Sequence, residues 1–230
     1  MKVFSLFSGI GGFDLAMRNL GHQIVGACEI DKHARSVYAK NFPGVKIWEN
    51  ATTIKPKELP NFDILCAGFP CQSFSIAGKR RGFNDTRGSL FFEIARIARD
   101  RKPSILFLEN VKGLLSHDQG QTFYTILTSL NEIGYDVQWQ VINSKYFVPQ
   151  NRERLFIIGN LREKGKKEIF PLGEIHKLRS KQKEKTNPII NCITGGGHSG
   201  GLHSQMTILN PVSIMLGHNT QNGRAVNVEY

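Results

Sequence analysis

Lys2-Val3-Phe4-Ser5-Leu6-Phe7-Ser8-Gly9-Ile10-Gly11-Gly12-Phe13-Asp14-Leu15-Ala16-Met17-Arg18-Asn19-Leu20-Gly21 holds the transition that decides the fold. Residues 2–7 form a nearly continuous apolar run, the pattern of a strand buried on both faces. Small residues at 8–12 make a tight turn. Phe13, Ala16, Met17 and Leu20 then recur at i, i+3, i+4 and i+7, the period of a helix with one buried face. Gly21 is suited to a left-handed cap that ends it. Strand, glycine turn and helix in this order form the first half of a parallel βαβ unit.

The same alternation extends outward. Residues 24–28 read as a second strand, 32–42 as a helix, 45–48 as a short strand and 62–67 as another strand. Two long helices follow. Leu90, Ile94 and Ile97 with Phe91, Ala95 and Ala98 make a broad apolar face before Pro103, and Phe123, Ile126, Leu127 and Leu130 make another before Gly134. Between them, Ile105-Leu106-Phe107-Leu108-Glu109-Asn110 is a strand of the doubly covered type. Residues 135–143 and 155–159 succeed each other with no helix between, which predicts an antiparallel hairpin at the sheet edge. The expected fold class is α/β, a doubly wound and mostly parallel sheet with that hairpin.

Composition narrows the function. A chain of 230 residues with 40% hydrophobic content is long enough for one core, or one and a half domains. Its formal charge of +11 points to a polyanionic partner, nucleic acid ahead of a membrane surface. The cysteines, Cys28, Cys66, Cys71 and Cys192, lack the paired spacing of a zinc site, and Cys192 with His198 and His203 makes only a weak ligand set, so no metal is expected. The opening Met1-Lys2-Val3-Phe4 has no secretory pattern and no apolar run approaches a membrane span, so the expectation is a cytoplasmic chain with reduced thiols and no membrane partner. Residues 162–185 carry nine Lys or Arg against four Asp or Glu, an excess of five. That stretch reads as a linker or a nucleic-acid-facing surface, or simply as a solvated one. A small-residue loop follows at 194–204.

Four places carry candidate chemistry. The strand at 62–67 runs into a loop where Pro70 fixes one dihedral beside Cys71, at the carboxyl end of a strand, where open α/β sheets bind ligands. Lys79, Arg80 and Arg81 would favour the thiolate, the attacking form; a small buried hydrophobe is the competing role. Gly9 and Gly11 resemble a dinucleotide fingerprint, with Glu29 placed to hold ribose hydroxyls, but the third glycine's slot holds Asp14. Adenosine without a pyrophosphate therefore fits better, and S-adenosyl-L-methionine, with Phe7 beside its adenine or sulfonium, meets that description; a mere tight connection is the alternative. Glu109 ends its strand on the same rim, where burial raises a carboxyl pKa and enables proton or hydrogen-bond donation, unless it only caps Asn110-Val111-Lys112 or pairs with an arginine. Arg152 and Arg154 alternate into a strand and can face one side, either as surface ion pairs or as clamps on a ring carbonyl and a phosphate.

Four stretches in order then carry a resemblance: Phe4-Ser5-Leu6-Phe7-Ser8-Gly9-Ile10-Gly11-Gly12, Gly68-Phe69-Pro70-Cys71-Gln72-Ser73-Phe74-Ser75, Glu109-Asn110-Val111 and Gln150-Asn151-Arg152-Glu153-Arg154. With Asp85-Thr86-Arg87-Gly88-Ser89-Leu90-Phe91 between the second and third, the chain resembles a cytosine-5 DNA methyltransferase over about residues 1–160. The resemblance implies the S-adenosylmethionine-dependent methyltransferase (Rossmann-like) type of fold, with residues 1–160 as the catalytic and cofactor-binding domain. It implies double-stranded DNA as partner and a cytosine swung out of the duplex. Cys71 would attack carbon 6, Glu109 would bind the exocyclic amine and ring nitrogen 3, and Arg152 and Arg154 would steady the intermediate. Phe7, Gly9, Gly11, Gly12, Glu29, Ile30, Asn50, Pro70 and Leu90 would line the cofactor site, and Gln72, Ser75, Lys79 and Arg87 would contact DNA.

Asn50 departs from the family's usual Asp, leaving an uncharged amide oxygen as acceptor for the adenine amine, and Ile30 stands where an aromatic is common. No stretch matches the family's Arg-rich penultimate motif or its closing Gly-Asn-Ser-Val type motif. Residues 161–230 are thus expected to be a basic linker and the start of an incomplete target-recognition region. The resemblance implies one subunit of a split enzyme completed by a second polypeptide, a member of a restriction-modification system, or a shortened, partner-dependent DNA-binding remnant. RNA cytosine methylation is the nearest rival. A nicotinamide oxidoreductase would explain the glycine turn and Glu29, but not Pro70-Cys71 with Glu109 and two arginines.

Overall fold

A computed structural model of the chain describes residues 1–70 and 90–165 and the backbone of residues 190 and 191. In chain order it has β1 (Lys2–Leu6), α1 (Gly12–Asn19), β2 (Gln23–Cys28), α2 (Lys32–Asn41), β3 (Ile47–Trp48), β4 (Ile64–Gly68), α3 (Leu90–Arg101), β5 (Ile105–Val111), α4 (Gln121–Glu132), β6 (Tyr135–Asn143), β7 (Gln150–Asn151), β8 (Glu153–Leu161) and β9 (Ile190–Asn191). The main sheet has seven strands in the order β3-β2-β1-β4-β5-β8-β6. The first five strands are parallel. β8 runs antiparallel to both β5 and β6. This is the expected doubly wound α/β fold, with one refinement. The hairpin does not simply append to the edge: its second strand inserts beside β5 and leaves β6 outermost. β7 and β9 form a separate parallel pair.

Alternation along β1 explains the two-layer core. Phe4 and Leu6 face the side covered by α3 and α4, packed with Leu65, Phe91, Ile94, Leu106, Ile126 and Leu130. Val3 faces α1 and packs with Met17, Ile64 and Cys66. Tyr38 and Phe42 of the α2 region close over Ala27. Each such side chain, once fully buried, contributes about 1.5–3 kcal/mol of transfer free energy.

The chain leaves β1 toward β2 and β3 on one side and later returns to place β4 on the other, so the order reverses between β1 and β4. In open α/β sheets the crevice outside the carboxyl ends at that reversal is where ligands bind. The glycine turn follows β1 and the segment entering Cys71 follows β4, so both flank it. Helix α2 starts cleanly because Asp31 caps it, its side chain accepting from the Ala34 N–H at 2.6 Å. Helix α1 starts instead from Gly11 in a left-handed conformation, with no side-chain cap. Gly21 takes the expected left-handed conformation just past its end. Among the described residues no helix is long and apolar enough to cross a membrane, and no cluster of His, Cys, Asp and Glu is arranged to hold a metal.

Candidate active site

The register of the strands brings the candidate residues to one rim. Leu6 pairs with Cys28 on one side and Ala67 on the other. Ala67 pairs with Leu108 and Gly68 with Glu109. Glu109 then faces Phe156, and Val111 faces Arg154. Residues just past these pairs carry the two halves of the site.

The half around β1 to β3 gathers Phe7, Gly9, Gly11, Gly12, Glu29, Ile30 and Asn50. The turn is sharply folded, with Phe7, Gly9 and Gly11 at φ of 54°, 55° and 97°. A left-handed conformation costs an aromatic L-residue about 1–2 kcal/mol, and the Ser8 N–H bond to the Cys28 carbonyl at 3.0 Å helps to hold it. At Gly11 a side chain is also barred by space, because a Cβ would lie 2.3 Å from Phe42 Cε2. Gly12 opens α1 with room for a side chain. Glu29 joins the two turns, Oε2 accepting from the Gly9 N–H at 2.8 Å and Oε1 from the Asp31 N–H at 2.9 Å. A carboxylate offers about four lone-pair sites, so two remain for hydroxyl donors. Ile30 presents its apolar side chain at 71% exposure. This set suits the adenosine part of S-adenosyl-L-methionine: an acceptor for ribose hydroxyls beside an exposed apolar surface for an aromatic base.

Asn50 differs from expectation. Its Oδ1 already accepts from the Thr52 N–H at 3.0 Å and the Thr52 hydroxyl at 2.9 Å, capping the turn at 51–53. With both lone pairs of that oxygen occupied, the amide Nδ2 is the group left to face a ligand.

The half around β4, β5 and β8 gathers Pro70, Glu109, Arg152 and Arg154. Pro70 is exposed at the start of the cysteine segment. A Cβ built on Gly68 lies 3.4 Å from Glu109 Oε2, so that carboxylate sits against the backbone two residues before Pro70. Arg154 Nε bonds Glu109 Oε1 at 2.9 Å. Burial pushes the Glu109 carboxyl above its ordinary range, against the opposing charges of Arg154 and Arg152. Arg152 is oriented from its backbone, its N–H donating to Asn143 Oδ1 at 3.3 Å. Leu90 opens α3, half-buried. Cys71, Gln72, Ser75, Lys79 and Arg87 lie outside the described residues, as do Cys192, His198 and His203.

Two asparagines have structural roles that the sequence reading did not assign. Asn110, 2% exposed, donates from Nδ2 to the Phe69 carbonyl at 2.9 Å while Oδ1 accepts from the Val111 N–H at 2.8 Å. It ties the backbone before Pro70-Cys71 to β5. Asn143 likewise gathers residues 145, 151 and 152 around one amide. Polar residues inside or ending otherwise apolar strands were the available signal, because a buried amide needs partners.

The sequence profile described as C-5 cytosine-specific DNA methylase matches residues 1–221. Type II methyltransferase M.HhaI of Haemophilus parahaemolyticus is 47% identical over 159 residues, 69% of this chain and 48% of that protein. Type II methyltransferase M.HpaII of Haemophilus parainfluenzae is 47% identical over 190 residues, 80% of this chain and 53% of that protein. Among solved structures, a putative DNA modification methyltransferase from an E. coli prophage superposes with a TM-score of 0.60 at 25% identity, covering 74% of this chain and 49% of the other. Spodoptera frugiperda DNMT2 superposes with a TM-score of 0.58 at 28% identity, over 69% and 49%. The chain thus spans about half the length of the relatives it matches. With a profile match over residues 1–221, the chain belongs to the C-5 cytosine-specific DNA methylase family.

Proposed function

We propose that the chain transfers a methyl group from S-adenosyl-L-methionine to carbon 5 of a cytosine extruded from double-stranded DNA, through a covalent adduct on Cys71. The observation that carries this reading is Glu109, held by Arg154 and set against Gly68, three residues before Cys71. Bound S-adenosyl-L-methionine supplies an electrophilic methyl on a sulfonium sulfur. Phe7, Gly9, Gly11, Gly12, Glu29, Ile30, Asn50, Pro70 and Leu90 form its site, Glu29 accepting from the ribose.

The Cys71 thiolate adds to carbon 6 of the ring, and Glu109, its carboxyl raised by burial against the charges of Arg154 and Arg152, binds ring nitrogen 3 and accepts from the exocyclic amine. Carbon 5 thereby becomes an enamine carbon and takes the methyl. Loss of the carbon 5 proton to solvent then expels the Cys71 thiolate and restores the ring. Arg154 fixes the Glu109 carboxyl in plane, and Arg152 adds positive charge beside it. Gln72, Ser75, Lys79 and Arg87 contact the DNA, and the excess of basic residues offsets the few kcal/mol of base extrusion through phosphate contacts. A cytoplasmic setting fits these partners. The chain matches half of its relatives, and a second polypeptide carrying the unmatched motifs is part of the proposal, as the source of site choice.

The test is trapping. Chain, labelled S-adenosyl-L-methionine and a duplex containing 5-fluorocytosine, with and without the carboxyl-terminal half of a relative, should give a covalent protein–DNA species by mass spectrometry. Cys71→Ser should not. Trapping by Cys71→Ser equal to wild type would sink the nucleophile. Trapping on an RNA substrate but not on DNA would move the reading to RNA.

A further inference from the structure

Two arginines that belong to no motif hold the backbone of the nucleoside side of the site. Arg96, on α3, forks onto the turn after β3: Nη1 donates to the Ile54 carbonyl at 2.9 Å and Nη2 to the Ala51 carbonyl at 3.0 Å. Its Nε and Nη2 also bond Glu93 Oε2 at 2.9 and 2.6 Å, one turn back on the same helix, which aims the guanidinium at the turn. Arg35, on α2, does the same for the turn after β2, with Nη1 donating to the Glu29 carbonyl at 3.0 Å and the Ile30 carbonyl at 2.7 Å. Its Nη2 reaches Glu49 Oε1 at 3.1 Å, beside Asn50. The carbonyl bonds, more than the ion pairs, make these side chains specific. Glu49 is 76% exposed, and such a pair contributes little in water. At Arg96 two nitrogens of a planar guanidinium hold two carbonyls with a span and fixed geometry that a single ammonium nitrogen lacks.

We propose that Arg96, seconded by Arg35, is a positioning residue for the adenosine end of S-adenosyl-L-methionine. It holds the 50–54 turn so that Asn50 is presented at a fixed angle, while Arg35 holds the Glu29–Ile30 backbone opposite. The inference rests on the cofactor reading above. Asn50 caps the turn from inside, through Thr52, and Arg96 clamps it from α3. Both locks act on one short piece of chain. α3 is also the helix that receives the chain directly after the segment bearing Cys71. The clamp thus joins the nucleoside turn to the element on which the nucleophile segment ends.

Two measurements test this. Calorimetry with S-adenosyl-L-homocysteine should show Arg96→Ala and Asn50→Ala each about tenfold weaker than wild type, the scale of one or two lost charge-assisted bonds. The double variant should be no more than about twofold weaker than the worse single, since residues acting through one element are not additive. Arg96→Lys, which keeps the charge beside Glu93, should retain the wild-type melting temperature within a few degrees yet bind as weakly as Arg96→Ala. Unchanged affinity in folded Arg96→Ala, or additive losses in the double variant, would overturn the assignment. Amide exchange without any ligand is the second arm. Residues 52–54 should exchange at least about tenfold faster in Arg96→Ala than in wild type, and equal rates would overturn the clamp even if wild type bound no S-adenosyl-L-homocysteine. Failure of wild type to bind would count against the cofactor reading alone.

Discussion

Arg154 Nε stands 2.9 Å from Glu109 Oε1, with the two side chains 22% and 24% exposed, across the antiparallel pairing of β5 and β8. The two residues are 45 positions apart. Their meeting puts a permanent cation on a carboxyl that burial would otherwise protonate more strongly, so each partner sets the other's role.

Arg154→Gln should raise the Glu109 pKa above its already elevated wild-type position, because desolvation then acts against Arg152 alone. A carboxyl ¹³C titration reads this directly. The sign for stability follows: a raised native pKa favours the folded state below about 4.5, the ordinary value, and this contribution is lost as pH rises through the native pKa. In Arg154→Gln that loss should extend to higher pH. An unchanged or lowered Glu109 pKa in the variant would refute the charge coupling.

Asn110→Ala should cost about 1–3 kcal/mol, the penalty for leaving the buried Phe69 carbonyl without its donor. Urea denaturation measures this. Because the lost bond holds the backbone entering Pro70-Cys71, trapping on a 5-fluorocytosine duplex should fall by a larger factor than S-adenosyl-L-homocysteine affinity does. Equal loss of both would make Asn110 a general core residue only.

Two buried thiols should be inert. Burial pushes Cys28 up to about 12, with the Glu29 charge adding to the effect, and burial also raises Cys66 well above the ordinary thiol value. Iodoacetamide at neutral pH followed by peptide mass spectrometry should therefore leave both unmodified in the native protein, while Cys71 is alkylated. Modification of Cys28 or Cys66 ahead of Cys71 would contradict the nucleophile assignment.

Asp14→Asn should leave the protein no less stable at pH 7. Asp14 is fully buried, accepts from the Ser5 hydroxyl at 2.6 Å, and leaves Oδ2 without a partner of ordinary geometry. Burial raises its pKa above 3.8, so folding loses stability as pH climbs from that value through the native pKa. An amide keeps the acceptor for Ser5 and removes the titration. Urea melts at pH 4 and pH 7 should show the variant gaining on wild type with rising pH; a gap that shrinks would reverse the argument.

Much of the fold was legible in local pattern. The period of 3.6 in residues 13–20, the apolar runs at 2–7 and 105–110, and the glycine punctuation at 11 and 21 each reflect a requirement met within a few residues: one buried face, two buried faces, or a left-handed backbone. Gly11 shows this best, since both its φ and the ring of Phe42 exclude a side chain. The candidate site residues were legible for a different reason. Acids and arginines at strand ends stand out against apolar runs, and the order of the motifs carries the family.

Sequence alone determined, then, the strands and helices of the main sheet and which residues at its rim are candidates for the chemistry. Tertiary structure decided what those side chains do to one another. Only the register of β8 between β5 and β6 sets Arg154 on Glu109, and only the approach of α3 to the turn after β3 turns Arg96 into a clamp. The same holds for Glu29, whose oxygens take backbone N–H groups from two turns, and for Asn50, whose oxygen is consumed by its own cap. Hydrophobic periodicity is a local property, summed over neighbours in sequence. Hydrogen bonds and ion pairs are decided within about 3 Å, and which groups come that close depends on strand register and helix packing between segments far apart in the chain.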